Sequence, residues 1–433
     1  MDRQIVSIFV DWGYTRLKLC AVNSNGKILE EIAYLNKDII DNPIFYDDAS
    51  LGSIKAIVAH FINSCNPCGC MHLYLSSQMH CLAGSLESGQ KFLSTWNDLP
   101  LQRIFDQEVK ILNGIPLLHS MPCNKLVKAS NEYTVASEWS EKTFKKPEIP
   151  IAYAGSPLTL ILSDLFATKL PCSKAWWQSS CLPAELLRHP SSGTTYESEY
   201  PIKVSRSHTI RNLGNDAVAF IYPETGDLQA STCHALHTQD IVINLGTGSQ
   251  IIFRDLKADD SLRFTLFTRY WPTNPKPLVT ISHLPCGRLL AAYAEARKME
   301  IGLLKVALEE LQAESIEDLA NNNMTSILFF PGYCFVQDSY LQRPPVTLEE
   351  IAELKPCVLL SLWIYQYSSL IKRSLQLLDS NLLSIGVTGS LGGMSPLFSR
   401  LLSAMLGPRL KVMCVASTLY LNQLSAFKRG LPP

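Results

Sequence analysis

No apolar run in the sequence approaches the roughly 18 to 20 residues that cross a bilayer. The best candidate, residues 358–365, is broken by Ser361 and soon reaches polar residues. A secretory leader is not expected either: the apolar stretch 5–10 is short and runs into Asp11 without a small-residue cleavage site. Neither sign of charge is in excess. The 38 basic side chains face 39 acidic ones, a net of −1, so no sequence-wide positive field draws in nucleic acid or an anionic membrane. The expected location is therefore the cytoplasm, with neither nucleic acid nor membrane as partner. The 13 cysteines are odd in number and scattered, which speaks for reduced thiols rather than a disulfide framework.

Several catalytic signatures are also missing. The one Gly-Lys pair, Gly26-Lys27, has Ala21 where the first glycine of a P-loop would stand. Neither a Gly-x-Gly-x-x-Gly dinucleotide turn nor a Gly-x-Ser-x-Gly nucleophile elbow occurs, which removes the strongest sequence arguments for a nicotinamide enzyme or a serine hydrolase. Cys65-Asn66-Pro67-Cys68 has metal-ligand spacing but no second cysteine pair nearby, and Asn-Pro-Cys-Gly fits a turn between a helix and a strand.

What is present is a chain of 433 residues, 47% hydrophobic and 18% charged, long enough for two domains with full cores. Strand patterns cover 5–10, 17–22 and 28–34, the last two joined by the turn Asn23-Ser24-Asn25-Gly26. A helix is expected over 53–64, a strand over 73–77, an apolar segment over 158–170 and a surface excursion over 188–207. Later helices are expected over 287–297, 303–313, 358–378 and 396–406. A second hairpin over 241–253 repeats the first about half a chain later, with Asn244 matching Asp11 and Gly246 matching Gly13. The expected domains are therefore 1–238 and 239–433.

Two turns carry the chemistry. Asp11-Trp12-Gly13-Tyr14-Thr15 and Gly246-Thr247-Gly248-Ser249 offer glycine-freed backbone N–H groups, hydroxyl donors and a carboxylate able to hold Mg²⁺ through water, which together suit a nucleoside triphosphate. Set at the starts of two half-chain repeats, they resemble the phosphate loops of the sugar kinase, hsp70 and actin superfamily. Gly389-Ser390-Leu391-Gly392-Gly393-Met394-Ser395, between a strand-like and a helical segment, resembles that superfamily's adenosine loop; a strand-to-helix turn capped by Ser395 is the plainer reading.

Within that superfamily the chain resembles the FGGY carbohydrate kinases. Ser77-Gln78-Met79-His80 looks like the Gly-Gln-Met-His sugar motif of xylulokinases, and Trp96-Asn97-Asp98 like the Trp-x-Asp element that follows it. Gly226-Asp227-Leu228-Gln229-Ala230 resembles the segment holding the catalytic Asp, in a form most similar to sedoheptulokinases. The resemblance implies an α/β fold of two ribonuclease H-like (actin-like ATPase) domains with a cleft between them. It implies an ATP- and Mg²⁺-dependent ketose kinase, monomer or homodimer, whose best substrate is sedoheptulose, phosphorylated at its 7-hydroxyl, with xylulose or another polyol or ketose as the alternative.

The same resemblance assigns residues. Asp227 would be the base, and Gln78, Met79, His80, Trp96 and Asp98 would form the sugar site. Gly13, Thr15, Lys18, Gly246, Thr247, Gly248, Gly389, Gly392 and Gly393 would contact ATP, and Asp11 would hold Mg²⁺ through water. The chain departs from the family pattern at Tyr14 and Arg16 in the first loop, at Pro100, at Cys286 in a Gly-Gly pair, after Tyr333-Cys334, and around Ala416, so a non-catalytic binding relative is the competing expectation.

Overall fold

A computed structural model describes residues 5–40, 45–65, 69–79, 81–86, 91–95, 151–173, 176, 196–197, 202–204, 218–254, 266–269, 278–323, 348–375, 383–389 and 391–415. The chain divides into two compact units. Unit 1 comprises Met1–Ala230 with Tyr270–Pro275 and Gln423–Pro433, and unit 2 comprises Ser231–Arg269 with Lys276–Asn422. Among the described residues, no helix is long and apolar enough to cross a membrane.

In unit 1, strands β1 (Ile5–Trp12), β2 (Arg16–Asn23) and β3 (Ile28–Leu35) form an antiparallel meander. Helix α1 (Asn36–Ile39) and the two-residue strand β4 (Phe45–Tyr46) lead to α2 (Asp48–Ser64). Asp47 caps α2 by accepting the Ser50 N–H at 2.9 Å, and Leu51, Ile54, Val58, Phe61 and Ile62 bury one face of the helix. The chain then enters β5 (Cys70–Ser77), which lies parallel to β1. Strands β6 (Leu82–Leu86), β7 (Lys91–Ser94) and β8 (Ile151–Gly155) join β4 in a small separate sheet, and α3 (Pro157–Leu162) follows. Short strands β9 (Pro171–Cys172) and β10 (Tyr196–Glu197) pair with each other. The main sheet is completed by β11 (Ile202–Val204), β12 (Val218–Ile221) and β13 (Thr225–Gly226), in the order β11-β12-β5-β1-β2-β3, with β13 also on β5. β1 is buried over most of its length, as befits a central strand covered on both faces, whereas edge strand β3 is largely exposed or half-buried.

Helix α4 (Asp227–Thr238) contains the division between the units, at Ala230/Ser231. Unit 2 repeats the strand plan of unit 1. Its strands are β14 (Ile241–Leu245), β15 (Ser249–Phe253), β16 (Leu266–Arg269), β17 (Leu278–Leu284), β18 (Leu383–Thr388) and β19 (Leu410–Cys414), in the order β16-β17-β15-β14-β18-β19. Like β3-β2-β1-β5-β12, the series β17-β15-β14-β18-β19 is antiparallel over its first three strands and parallel over the rest.

The helices of unit 2 are α5 (Gly287–Ala296), α6 (Gly302–Glu310), α7 (Ala313–Asn323), α8 (Leu348–Glu353), α9 (Pro356–Leu375) and α10 (Ser395–Leu406). Trp363 and Tyr367 of α9 meet Phe398 of α10 in an aromatic cluster. Both also donate hydrogen bonds to the Pro285 carbonyl, at 2.9 and 3.1 Å, so the core fixes the chain just before α5 begins.

Candidate active site

The carboxylate of Asp11 stands near the end of β1, 5% exposed. Strand register explains its partners: Asp11 lies opposite Lys18 of β2 and opposite Ser76 of β5. The Lys18 Nζ donates to Oδ2 at 3.0 Å, and the Ser76 hydroxyl donates to Oδ1 at 2.8 Å. Asp11 holds the Lys18 ammonium above its ordinary pKa, against the opposing effect of burial, and Asp227 adds to the rise. Lys18, Asp11 and Asp227 therefore belong to one electrostatic cluster. Arg16, also on β2, opposes that rise as a like charge.

The loop after Asp11 is closed by the Gly13 N–H donating to the Arg16 carbonyl at 3.0 Å. Asn36, 1% exposed, pins it from outside: its side-chain amide donates to the carbonyls of Gly13 and Tyr14 at 3.0 and 2.6 Å, and its N–H to the Thr15 carbonyl at 2.9 Å. These contacts run to the backbone of Gly13, Tyr14, Thr15 and Arg16.

At the end of β5, Gln78 continues the ladder by donating its N–H to the Trp12 carbonyl at 2.9 Å. Its side chain is 0% exposed, yet among the described residues neither amide atom has a hydrogen-bond partner. An amide shut away from water and unpaired is costly, so a polar ligand at Gln78 would offset that cost. Met79 is buried against Gly226, where an added Cβ would lie 2.2 Å from the methionine sulfur; only glycine allows that approach. Thr225 and Gly226 pair with Ser76 and Ser77, so the residues that follow on the two segments are Asp227 and Gln78.

Asp227 is half-buried at the start of α4, and its Oδ1 accepts the Leu228 N–H at 2.8 Å. Gln229 reaches back to accept the Gly226 N–H at 2.7 Å, a capping-box contact that fixes the entry to the helix. Gln229, which pointed toward sedoheptulokinases, is thus engaged in holding the backbone of its own helix. His80, Trp96 and Asp98 lie outside the described residues.

Sequence reasoning missed Glu224, which is 0% exposed. Its carboxyl receives the hydroxyls of Ser77 and of Ser156, the latter at 2.6 Å, and the N–H groups of Leu158 and Thr159 at 3.2 and 2.6 Å. Burial pushes its pKa up to about 7, against the lowering by those hydrogen bonds.

In unit 2 the glycine-rich segments converge on the end of β14. The Gly246 N–H donates to the Gly248 carbonyl at 3.1 Å, and the N–H groups of Gly287 and Arg288, opening α5, donate to the carbonyls of Gly246 and Thr247 at 3.1 and 2.9 Å. Gly389 has φ +97°, and a Cβ there would lie 2.0 Å from the Leu245 carbonyl oxygen, so glycine is required. Gly393 also has positive φ, at +81°. Ser395 is the first residue of α10 rather than its cap, and its hydroxyl donates back to the Gly389 carbonyl at 2.6 Å. Cys286, in place of the family's glycine, stands directly before α5 and is 1% exposed. The side chains of Gln78, Lys18 and Asp11 thus sit in unit 1, and the glycine loops 246–248 and 389–393 in unit 2. The position of Gly392 is the middle of a short 3₁₀ turn, Leu391–Gly393.

Asp11 is a single carboxylate near a strand end, with Lys18 on one oxygen and Ser76 on the other. Among the described residues no group of three or more His, Cys, Asp or Glu gathers to hold a metal alone. A Mg²⁺ ion here would depend on Asp11, water and the nucleotide's own phosphates.

No family model matches the chain, and neither does any curated protein sequence. Solved structures do. A gluconate kinase from Lactobacillus acidophilus is 16% identical, with 99% of this chain and 89% of that one covered at a TM-score of 0.66. A ligand-bound xylulose kinase from the same organism is 16% identical, covering 98% and 89% at 0.66. A Plasmodium falciparum glycerol kinase with ADP is 11% identical, covering 98% and 88% at 0.67. The chain has the fold of these FGGY-family carbohydrate kinases along nearly its whole length.

Proposed function

We propose that the chain is an ATP-dependent carbohydrate kinase that transfers the γ-phosphoryl group to a hydroxyl of a ketose, with Asp227 as the base. The observation that carries this reading is the Lys18–Asp11 pair, whose lysine Asp227 also holds up in pKa, with Gln78 and Asp227 following directly on the paired residues Ser77 and Gly226. Phosphoryl transfer asks for little more than such positioning, charge neutralisation and one carboxylate near the nucleophile. Asp227 accepts the hydroxyl proton as the sugar oxygen bonds to the γ-phosphorus and the bond to the bridging oxygen breaks, releasing ADP. The Gln78 amide offers a donor and an acceptor to neighbouring hydroxyls, and Lys18 offers positive charge to the phosphates. Mg²⁺, held by Asp11 through water, supplies further neutralisation when bound. The two sheets of one strand order support a pair of ribonuclease H-like halves, each offering a phosphate loop of its own.

The sugar is a ketose by the likeness of Ser77-Gln78-Met79-His80 to xylulokinases; sedoheptulose and xylulose are the two substrates to compare first. Because Gln229 serves its helix cap, its identity no longer favours sedoheptulose. A second reading has one observation in its favour: both carboxylate oxygens of Asp11 are engaged within unit 1, by Lys18 and Ser76, as in a protein that binds nucleotide or sugar without turnover. Incubation with ATP, Mg²⁺ and a panel of ketoses and polyols separates the two. Sugar-stimulated ADP release supports the kinase, whereas tight calorimetric binding with no stimulated release supports the binding protein.

A further inference from the structure

Glu224 is shut off from water, and no step of the proposed reaction uses it. Two stretches of unit 1 nevertheless end on its carboxyl group. Ser77, the last residue of β5, donates its hydroxyl. Ser156, just before α3, donates another, and the N–H groups of Leu158 and Thr159 in the first turn of that helix donate two more. The Glu224 carbonyl in turn accepts the Ser173 N–H at 2.8 Å. The two N–H groups can only donate to the carboxyl, while the hydroxyls of Ser77 and Ser156 can donate or accept.

The placement of this knot matters more than its strength. Gln78 follows Ser77 directly, and Asp227 lies three residues after Glu224 with only the paired Thr225 and Gly226 between. The carboxyl therefore ties the segment that delivers Gln78 and Met79 to the segment that delivers Asp227. Ser77, which stands where the resembling xylulokinase motif has glycine, supplies Glu224 with a hydroxyl that glycine lacks.

We propose that Glu224 is a positioning residue that fixes the Gln78 amide and the Asp227 carboxylate in one mutual register. Its consequence for turnover rests on the sugar-kinase reading; its mechanical consequence does not. The test compares wild type with Glu224→Gln, which keeps the volume but sets an NH₂ donor against the donors around it. In ligand-free protein, amide hydrogen exchange at residues 77–79 and 226–228 should rise about tenfold or more. In turnover, kcat/KM for the ketose should fall about 10- to 100-fold, as for a small misplacement of reacting groups, with the KM for ATP unchanged to within about twofold. Ser77→Ala, which removes one donor and keeps the carboxyl, should give the same pattern at smaller size and serves if Glu224→Gln does not fold. Unchanged exchange at these amides in a folded variant overturns the proposal, as does a uniform rise across unit 1 with no split between sugar and ATP parameters. If the wild type phosphorylates no sugar, the kinase reading fails, and the exchange comparison alone still decides the role of Glu224.

Discussion

The two units carry the same three-point device at the end of their first strand, and they fill it with different chemistry. In unit 1 Asp11 faces Lys18 on the antiparallel neighbour and Ser76 on the parallel one; in unit 2 Asn244 faces Gln250 and Thr388 at the matching register positions. The contacts match as well. Lys18 reaches Asp11 at 3.0 Å and Ser76 reaches it at 2.8 Å, while Asn244 reaches Gln250 at 3.3 Å and Thr388 reaches Asn244 at 3.2 Å. The scaffold thus fixes where a strand-end side chain is held, and the residue types decide whether that point handles charge. Unit 1 keeps an anion and a cation there beside Asp227. Unit 2 keeps a neutral amide pair and works through backbone, with Gly246, Gly287 and Gly389 drawn together at the end of β14.

The strongest way to break this contrast is to remove the base. Asp227→Asn should lower sugar-dependent kcat by about 10²- to 10⁴-fold, the usual worth of a general base, while leaving nucleotide binding by calorimetry unchanged. Next comes Gly389→Ala, which sets a methyl against the Leu245 carbonyl at a positive φ. It should cost about 3 kcal/mol in urea unfolding and weaken ADP binding, whereas alanine at Gly248, where nothing lies within 4 Å of the added carbon, should cost less than about 1 kcal/mol. Asp11→Asn gives unit 1 the neutral chemistry of unit 2; kcat/KM should drop about 10- to 100-fold, with Lys18 returning toward its ordinary pKa because Asp11 is the first cause of its rise.

The converse change sharpens the contrast from the other side. Asn244→Asp should destabilise unit 2 by about 1 kcal/mol by placing a half-buried charge opposite Gln250, and adding Gln250→Lys should restore much of it, both read from urea midpoints. The last test is a pH slope. Burial raises Glu224 from its ordinary 4.5 to about 7, so the native chain binds more protons than the unfolded one between those values. Its contribution to stability is full below 4.5 and is lost as pH rises through 7; in Glu224→Gln that part of the slope should vanish.

What could be read from residues alone was local. The meander of β1 to β3 shows in period-2 apolar runs broken by Asp11–Thr15 and Asn23–Gly26, and the long helices show in their apolar spacing. Gly389 and Gly246 were legible because a turn that needs glycine leaves glycine in the sequence. Ser76, Ser77, Asn36 and Glu224 were not, since each acts through a partner far along the chain: Asp11 is 65 residues from Ser76, and Glu224 is 147 residues from Ser77. Nothing in Tyr222-Pro223-Glu224-Thr225 announces a carboxyl without solvent. The sheet of β4, β6, β7 and β8 was missed because its strands are short and its pairings join distant segments.

The most direct test of the account is the mass of the product. Wild-type protein given ATP, Mg²⁺ and xylulose or sedoheptulose should yield a monophosphorylated ketose in one-to-one amount with ADP, and Asp227→Asn should yield next to none. ADP formed at the same rate with and without sugar, no sugar phosphate at all, or equal product from the variant would contradict it.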